Sequence, residues 1–196
     1  MARQDESPKQ LALRCLPVIP DRWNDMVRLF GDRGAYAGCW CMWWRLTRSE
    51  FSRGTGDGNK EKMRQIAQSG RVPGILGYVG DQPVGWCSIA PREDFPSLDR
   101  SRTLKRVDET AVWSIVCFFV AKEFRRRGLM AALLRAAVDY ARARGAAVVE
   151  GYPVEPIEGR LPSSAGYMGL VSAFRQAGFR EVARRSPNRP IMRCFV

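Results

Sequence analysis

The chain contains no histidine. That absence removes every mechanism that runs on an imidazole: nucleophilic triads with a histidine base, histidine-ligated metal centres, and a general base that titrates near neutral pH. Long hydrophobic runs are missing as well. The most continuous apolar stretch, AVWSIVCFFVA at 111–121, falls well short of the roughly 20 residues that a membrane-spanning helix needs, so no membrane partner is expected. The sequence does not start with a charged segment followed by an apolar signal, and its six cysteines are spread along the chain. Reduced thiols and a cytoplasmic location are the expectation. Lysine is scarce: 27 of the 32 basic residues are arginine, a bias that genomic base composition can produce without selection for a partner.

What is present is a 196-residue chain, 45% hydrophobic and 27% charged, with a net charge of +12. This is the size of one domain with a real core. Residues 1–10 are polar and read as a flexible lead-in, and 11–196 reads as a single domain. LALRCLPV at 11–18 suits a strand, and PDRWNDMVRLFG at 20–31 suits a short helix with proline at its start and glycine at its end. The segment 34–60 is interrupted by glycine, rich in aromatics and without period, a long loop or a broken helix. A loop this long in a compact domain points to function, here the cover of a binding site. KEKMRQIAQSG at 60–70 reads as a helix, and GILGYVGDQPVGWCSIAP at 74–91 as a hairpin. After a charged excursion at 91–109, residues 110–121 form an apolar strand of the kind covered on both faces. LMAALLRAAVDYARARG then gives an amphipathic helix ending at Gly145, AVVEGYPV at 147–154 a parallel strand, YMGLVSAFRQAG at 167–178 a helix, and FREVARR and PIMRCFV two late strands. Helices alternating with strands in this order predict one α/β domain with a mixed sheet.

The passage from the central strand through Arg125-Arg126-Arg127-Gly128 into a helix makes a phosphate site. Unpaired amides at the helix start point outward, the helix dipole favours an anion, and the arginines add counter-charge. The glycines of a dinucleotide fingerprint and the GxxxxGK[ST] of a triphosphate loop are both absent. The passage VAKEFRRRGLMAALL resembles the GNAT family of acyl-coenzyme A-dependent N-acyltransferases, whose signature is Gln/Arg-x-x-Gly-x-Gly/Ala directly after the fourth strand. Arg125 and Gly128 match it, and Met130 departs from the family's Gly or Ala. SAFRQAGFREVAR at 172–184 resembles the family's late helix and strand.

The resemblance implies a central, mostly antiparallel mixed sheet with a splayed parallel strand pair, flanked by helices. It implies acetyl-CoA or another acyl-CoA as the donor. Arg125, Arg126, Arg127, Gly128, Leu129, Met130 and Ala131 would hold the diphosphate, and the backbone of Phe118, Phe119 and Val120 would hold the pantetheine arm. The reaction implied is transfer of an acetyl group to a primary amine of a small molecule, by direct attack in a ternary complex.

For proton transfer, the carboxylates best placed in sequence order are Asp108, Glu109 and Glu150, with Glu109 the first choice of base. The family's acid tyrosine falls at Phe174, which cannot donate a proton, and Tyr167 or Tyr152 would have to substitute. Tyr152 is also placed at the substrate. In Cys39-Trp40-Cys41-Met42-Trp43-Trp44, the C-x-C pair lacks partners for a metal site, so the cysteines read as buried small hydrophobes and no metal is expected. Trp40, Trp43 and Trp44 are candidates to face the substrate, with Glu50 as counter-charge for an amine.

The positive charge clusters at 122–144 and again at 175–193, each with a surplus of +5. The first cluster surrounds the diphosphate turn. The second opens an alternative, an acyltransferase that acts on or draws from an aminoacyl-tRNA, and a non-catalytic acyl-CoA-binding module is a further one. A homodimer is retained as an expectation with no residues assigned to it.

Overall fold

The computed structural model describes residues 12–156 and 165–196. The lead-in expected at 1–10 lies outside them, as does most of the Pro/Gly/Ser-rich stretch after Glu155. β1 (Arg14–Pro17) opens the sheet. A single 3-10 turn at Pro20–Arg22 feeds α1 (Trp23–Phe30), which buries Met26, Leu29 and Phe30. Gly31 closes this helix with φ +60° and donates its N–H to the Val27 carbonyl.

Residues 31–47 then run through successive turns, with left-handed φ at Ala35, Ala37, Trp40 and Cys41. The loop expected over 34–60 is broken by α2 (Arg48–Arg53), and α3 (Asp57–Gln68) begins three residues before the expected start. β2 (Gly74–Val79) and β3 (Gln82–Pro91) form the expected hairpin. The charged excursion holds a 3-10 turn at Arg92–Asp94 and a one-turn helix α4 (Pro96–Asp99). β4 (Trp113–Val120), a 3-10 turn at Lys122–Phe124, α5 (Leu129–Arg142) and β5 (Val148–Gly151) follow. A 3-10 turn at Ala165–Met168, α6 (Val171–Gln176), β6 (Arg180–Arg184) and β7 (Pro190–Phe195) complete the chain.

The seven strands lie in the order β1-β2-β3-β4-β5-β7-β6. Every neighbouring pair is antiparallel except β4 and β5, which are parallel. One face is covered by α1, α3 and the tryptophan loop, around Met26, Phe30, Trp40, Trp86 and Val116. The other is covered by α5 and α6, around Leu133, Ala137, Val171 and Phe174. The alternation of β4 is reset once. Ser88 pairs with Cys117 but Ile89 pairs with Ile115, so Val116 is an extra residue. Ile115 packs on the α5 face, while Val116 and Cys117 both pack on the α1 face. A bulge re-aims a side chain in this way.

Charge is buried on the α1 face, below the site. Arg92 and Glu150 are each 1% exposed. Arg92 donates to Glu150 Oε1 at 3.0 Å, to the Tyr152 hydroxyl at 2.6 Å and to the Leu104 carbonyl at 2.9 Å. Arg193 donates to Glu150 Oε2 at 2.8 Å and forks onto Asp108 at 2.7 and 3.0 Å. Tyr152 donates to Glu150 at 2.8 Å and lies 2.9 Å from the Ser114 hydroxyl. Both carboxylate oxygens of Glu150 are therefore engaged, which is the condition for tolerating buried charge.

Candidate functional site

β4 and β5 run paired only over Trp113–Ile115 and Val149–Gly151. Past Ile115, β4 continues along β3 to Val120 while the chain after β5 turns away, so the edge of β4 that faced β5 loses its strand partner. Phe174 holds the two apart. A Cβ on Gly151 would lie 2.2 Å from its ring and one on Gly169 would lie 2.7 Å from it. Phe118 and Phe179 pack edge-on against it, with ring centroids 6.1 and 4.8 Å away. Phe174 is fully buried, so the position where the resembled family carries an acid tyrosine here holds a wedge.

A cavity of about 850 Å³ opens into this splay. Its floor is β4 at Cys117–Val120 and one end is the turn after β4, with Arg125, Arg126 and Gly128–Ala131 on the wall. Arg126 and Gly128 take left-handed φ of +62° and +74°. At Gly128 that conformation favours glycine and lets the chain enter α5 directly. The amides of Leu129, Met130 and Ala131, like those of any first helical turn, have no acceptor within the helix. Arg125 is anchored by its Nε–H to the Val120 carbonyl at 2.9 Å, which leaves its terminal nitrogens for a ligand. Met130 lines the wall without blocking the turn. The donor set consists of first-turn amides, two guanidinium groups, an unpaired strand edge and apolar walls. It fits a diphosphate joined to an extended amide-bearing arm, the chemistry of coenzyme A. Arg127 departs from the expectation: its guanidinium stacks over the Phe124 ring at 5.7 Å, and it is not part of the lining.

The opposite wall is the tryptophan loop, whose three tryptophans divide. Trp43 and Trp44 line the cavity. Trp43 packs edge-on against Phe51 at 5.1 Å, and the indole N–H of Trp44 is buried with no hydrogen-bond partner among the described residues. Trp40 does not face a substrate. It is 3% exposed, packed between Trp23 and Phe30 at 6.0 and 5.4 Å, and so close over Gly34 that a Cβ there would come within 2.3 Å of its Nε1.

Glu50 does not stand at the cavity as a counter-charge. It caps α2 in a reciprocal box with Thr47, accepting from the Thr47 N–H at 2.9 Å and hydroxyl at 2.6 Å, and these bonds hold its carboxyl below the ordinary range. It lies outside the lining and is committed to the helix.

Tyr167 does line the cavity, 36% exposed, from the 3-10 turn at Ala165–Met168. Burial pushes its phenol up to about 12, with the Arg189 charge opposing. Tyr152 is fully buried, held to Arg92, Glu150 and Ser114, with no face on the cavity. Glu109 is exposed and precedes the first residue of β4, whereas the cavity opens on the last four. At about 3.3 Å per residue, most of the strand separates it from the site. Asp108 and Glu150 are spent on Arg193 and Arg92. None of the three carboxylates stands at the cavity.

The second basic cluster is largely paired internally. Arg184 bridges Glu155 and Glu181, Arg175 lies 3.6 Å from Glu155, Arg185 donates to the carbonyls of Lys105 and Arg106, Arg189 donates to the Tyr152 carbonyl, and Arg193 is buried.

The Acetyltransferase (GNAT) family model matches residues 40–152. The chain belongs to that family of acyl-CoA-dependent transferases. Among solved structures, a GNAT-family acetyltransferase from Listeria monocytogenes superposes with a TM-score of 0.57 at 11% identity, over 94% of this chain and 95% of that one. PaiA N-acetyltransferase from Thermoplasma acidophilum, in complex with coenzyme A, gives 0.53 at 12%, over 94% and 99%. NAA60 from Arabidopsis thaliana, in complex with acetyl-CoA, gives 0.51 at 13%, over 94% and 100%. At these identities the likeness concerns the fold. None of the curated protein sequences compared with the chain matches it. No helix among the described residues is long and apolar enough to cross a membrane.

Proposed function

We propose that the protein transfers an acetyl group from acetyl-CoA to a primary amine of a small molecule, with donor and acceptor held together in one complex. The observation that supports this most is the continuity of the cavity. It runs from the basic turn along the unpaired edge of β4 to an aromatic chamber under the tryptophan loop. Bound acetyl-CoA supplies an activated thioester carbonyl at the end of its arm. The chain contributes position and exclusion of water: the turn amides with Arg125 and Arg126 hold the diphosphate, the backbone of Phe118–Val120 orients the arm, and Trp43 and Trp44 shield the chamber. Holding two reactants in register is itself worth several powers of ten in rate.

Tyr167 is assigned as the acid that protonates the departing thiolate, because it lines the chamber and its proton is retained to about 12. Bulk solvent takes up the proton released by the amine. Of the 175–193 arginines, Arg175 and Arg184 meet carboxylates, Arg193 is buried, and Arg185 and Arg189 are held by backbone carbonyls, which supports a small amine ahead of tRNA.

Calorimetry with acetyl-CoA, followed by thiol-release assays across a panel of aryl and alkyl amines, tests the reading. Binding without release of coenzyme A on any amine would support the acyl-CoA-binding module instead, and salt-sensitive tRNA binding the other alternative. Substituting Tyr167→Phe is expected to lower kcat at least tenfold, toward the roughly hundredfold that general acid catalysis supplies, with KM for acetyl-CoA little changed. Since the phenol keeps its proton, kcat should show no alkaline limb from this group between about pH 7 and 10. A limb in that window that Tyr167→Phe removes would overturn the assignment of a retained proton.

A further inference from the structure

We propose that Cys41 and Cys117 form an oxidation-sensitive dithiol in the wall of this cavity, which closes to a disulfide and ties the tryptophan loop to β4. The two sulfurs are 3.0 Å apart and 76 residues apart in sequence. This is closer than ordinary van der Waals contact, about 3.5–4.0 Å even between carbon atoms, and about 1 Å beyond a disulfide bond. Two independent features bring them together. The left-handed φ of Trp40 and Cys41 turns the loop so that Trp40 enters the core and the next side chain points at β4, and the extra residue at Val116 rotates Cys117 onto the same face. The Trp86 indole N–H donates to Cys41 Sγ at 3.2 Å and fixes it there. Both cysteines line the cavity, which gives a small oxidant a route to the pair.

The oxidant is a hydroperoxide, for which hydrogen peroxide is the probe. The Cys117 sulfur attacks one peroxide oxygen, the O–O bond breaks, and the proton of the thiol leaves with the second oxygen as water. The Cys41 sulfur then attacks the sulfenic sulfur of Cys117, the S–S bond forms, and the hydroxyl leaves with the Cys41 proton as a second water. Two thiols are oxidised and one peroxide is reduced to two waters. Burial pushes the Cys41 thiol up, so it keeps its proton until its partner has been oxidised, which fits Cys117 as the first site of attack.

The linkage stands on this geometry alone, whereas its effect on transfer rests on the acyltransferase reading. Drawing the sulfurs together narrows the cavity between loop and strand where both sit, and tethers the loop that covers it.

Reduced protein is treated with hydrogen peroxide, its remaining thiols are alkylated, and its peptides are mapped without reduction. The expected result is a peptide pair joined through Cys41 and Cys117. The melting temperature should rise by about 5–10 °C and return on adding dithiothreitol, and acetyl transfer should fall at least tenfold and recover with the same reductant. Cys41→Ser and Cys117→Ser should each lose the peroxide-induced rise in melting temperature, measured against their own reduced states, while Cys39→Ser should still form the link. A Cys39–Cys41 link, alkylation of both cysteines after peroxide, or sulfinic acid without a cross-link would overturn the proposal. Transfer unchanged at full cross-linking would overturn its regulatory part. Failure of the reduced protein to bind acetyl-CoA would instead count against the acyltransferase reading and leave the peptide map to decide the linkage.

Discussion

Replacing Glu150 with alanine is expected to destabilise the protein by about 3–5 kcal/mol, because it strands two arginines whose only buried counter-charge it is. Arg92 and Arg193 are 1% and 5% exposed, and each donates to a different oxygen of Glu150. Their remaining partners, Asp99 and Asp108, stand half in solvent, where an ion pair contributes little. The Tyr152 hydroxyl would lose its acceptor as well. At about 2–4 °C per kcal/mol for a chain of this size, the melting temperature should fall by about 6–20 °C, and urea unfolding should show the midpoint moving at constant slope. A loss under about 1 kcal/mol would mean that water reaches the arginines. Removing Glu150, Arg92 and Arg193 together in favour of leucine and methionine should cost less than Glu150→Ala alone, since no buried charge is then left unpaired.

The second large effect concerns the turn. The double substitution Arg125→Ala, Arg126→Ala is expected to weaken coenzyme A binding by about 30- to 100-fold, roughly 2–3 kcal/mol. This is the lower part of what two charge-assisted hydrogen bonds provide, reduced because both side chains are exposed to solvent and salt. Calorimetry at two ionic strengths should show a shallower salt dependence for the variant. Binding of pantetheine, which lacks the diphosphate, should not change. Arg127→Ala is the contrast: stacked on Phe124 and off the cavity wall, it should alter affinity by no more than about threefold. If Arg127→Ala weakens binding as much as the double variant, the turn presents its charge differently from the arrangement described.

How much of this was legible in the sequence depends on whether the deciding contact is local. The strand–turn–helix passage at 113–142 is governed by an apolar strand, one glycine with left-handed φ and a helical stripe, all within thirty residues, so the strand, the turn and the helix could be read there. A mixed sheet with a parallel strand at 147–154 followed from the alternation of elements, and the splay of that pair from the family resemblance, whereas the strand order itself came only with the structure. The carboxylates could not be assigned, because Glu150 meets Arg92 across 58 positions and Arg193 across 43, and nothing in the sequence marks partners that far apart.

The tryptophans were indistinguishable for a different reason. A segment whose φ changes sign at residues 35, 37, 40 and 41 has no period that would sort inward from outward side chains. Glu50 was legible and misread: Thr47-Arg48-Ser49-Glu50 is a capping-box spacing, and the box accounts for both of its main hydrogen bonds. The direction of Cys117 depended on one inserted residue, which pairing registers reveal and hydropathy does not.

Phe174 has a consequence for how the cleft came to have its width. The strands of a sheet ordinarily stay zipped because parting them exposes backbone groups. Here the separation is produced in folding, by an aromatic ring seated against Gly151 and Gly169, so a ligand meets a gap that already exists and spends none of its binding energy on prising it open. The width of the gap therefore depends on a side chain that is not itself among the residues lining the cavity. Residue 174 and the two glycines beneath it are a gauge that could be reset, by a smaller ring-filling residue or a larger one, with Phe118 the cavity residue that would feel the change directly.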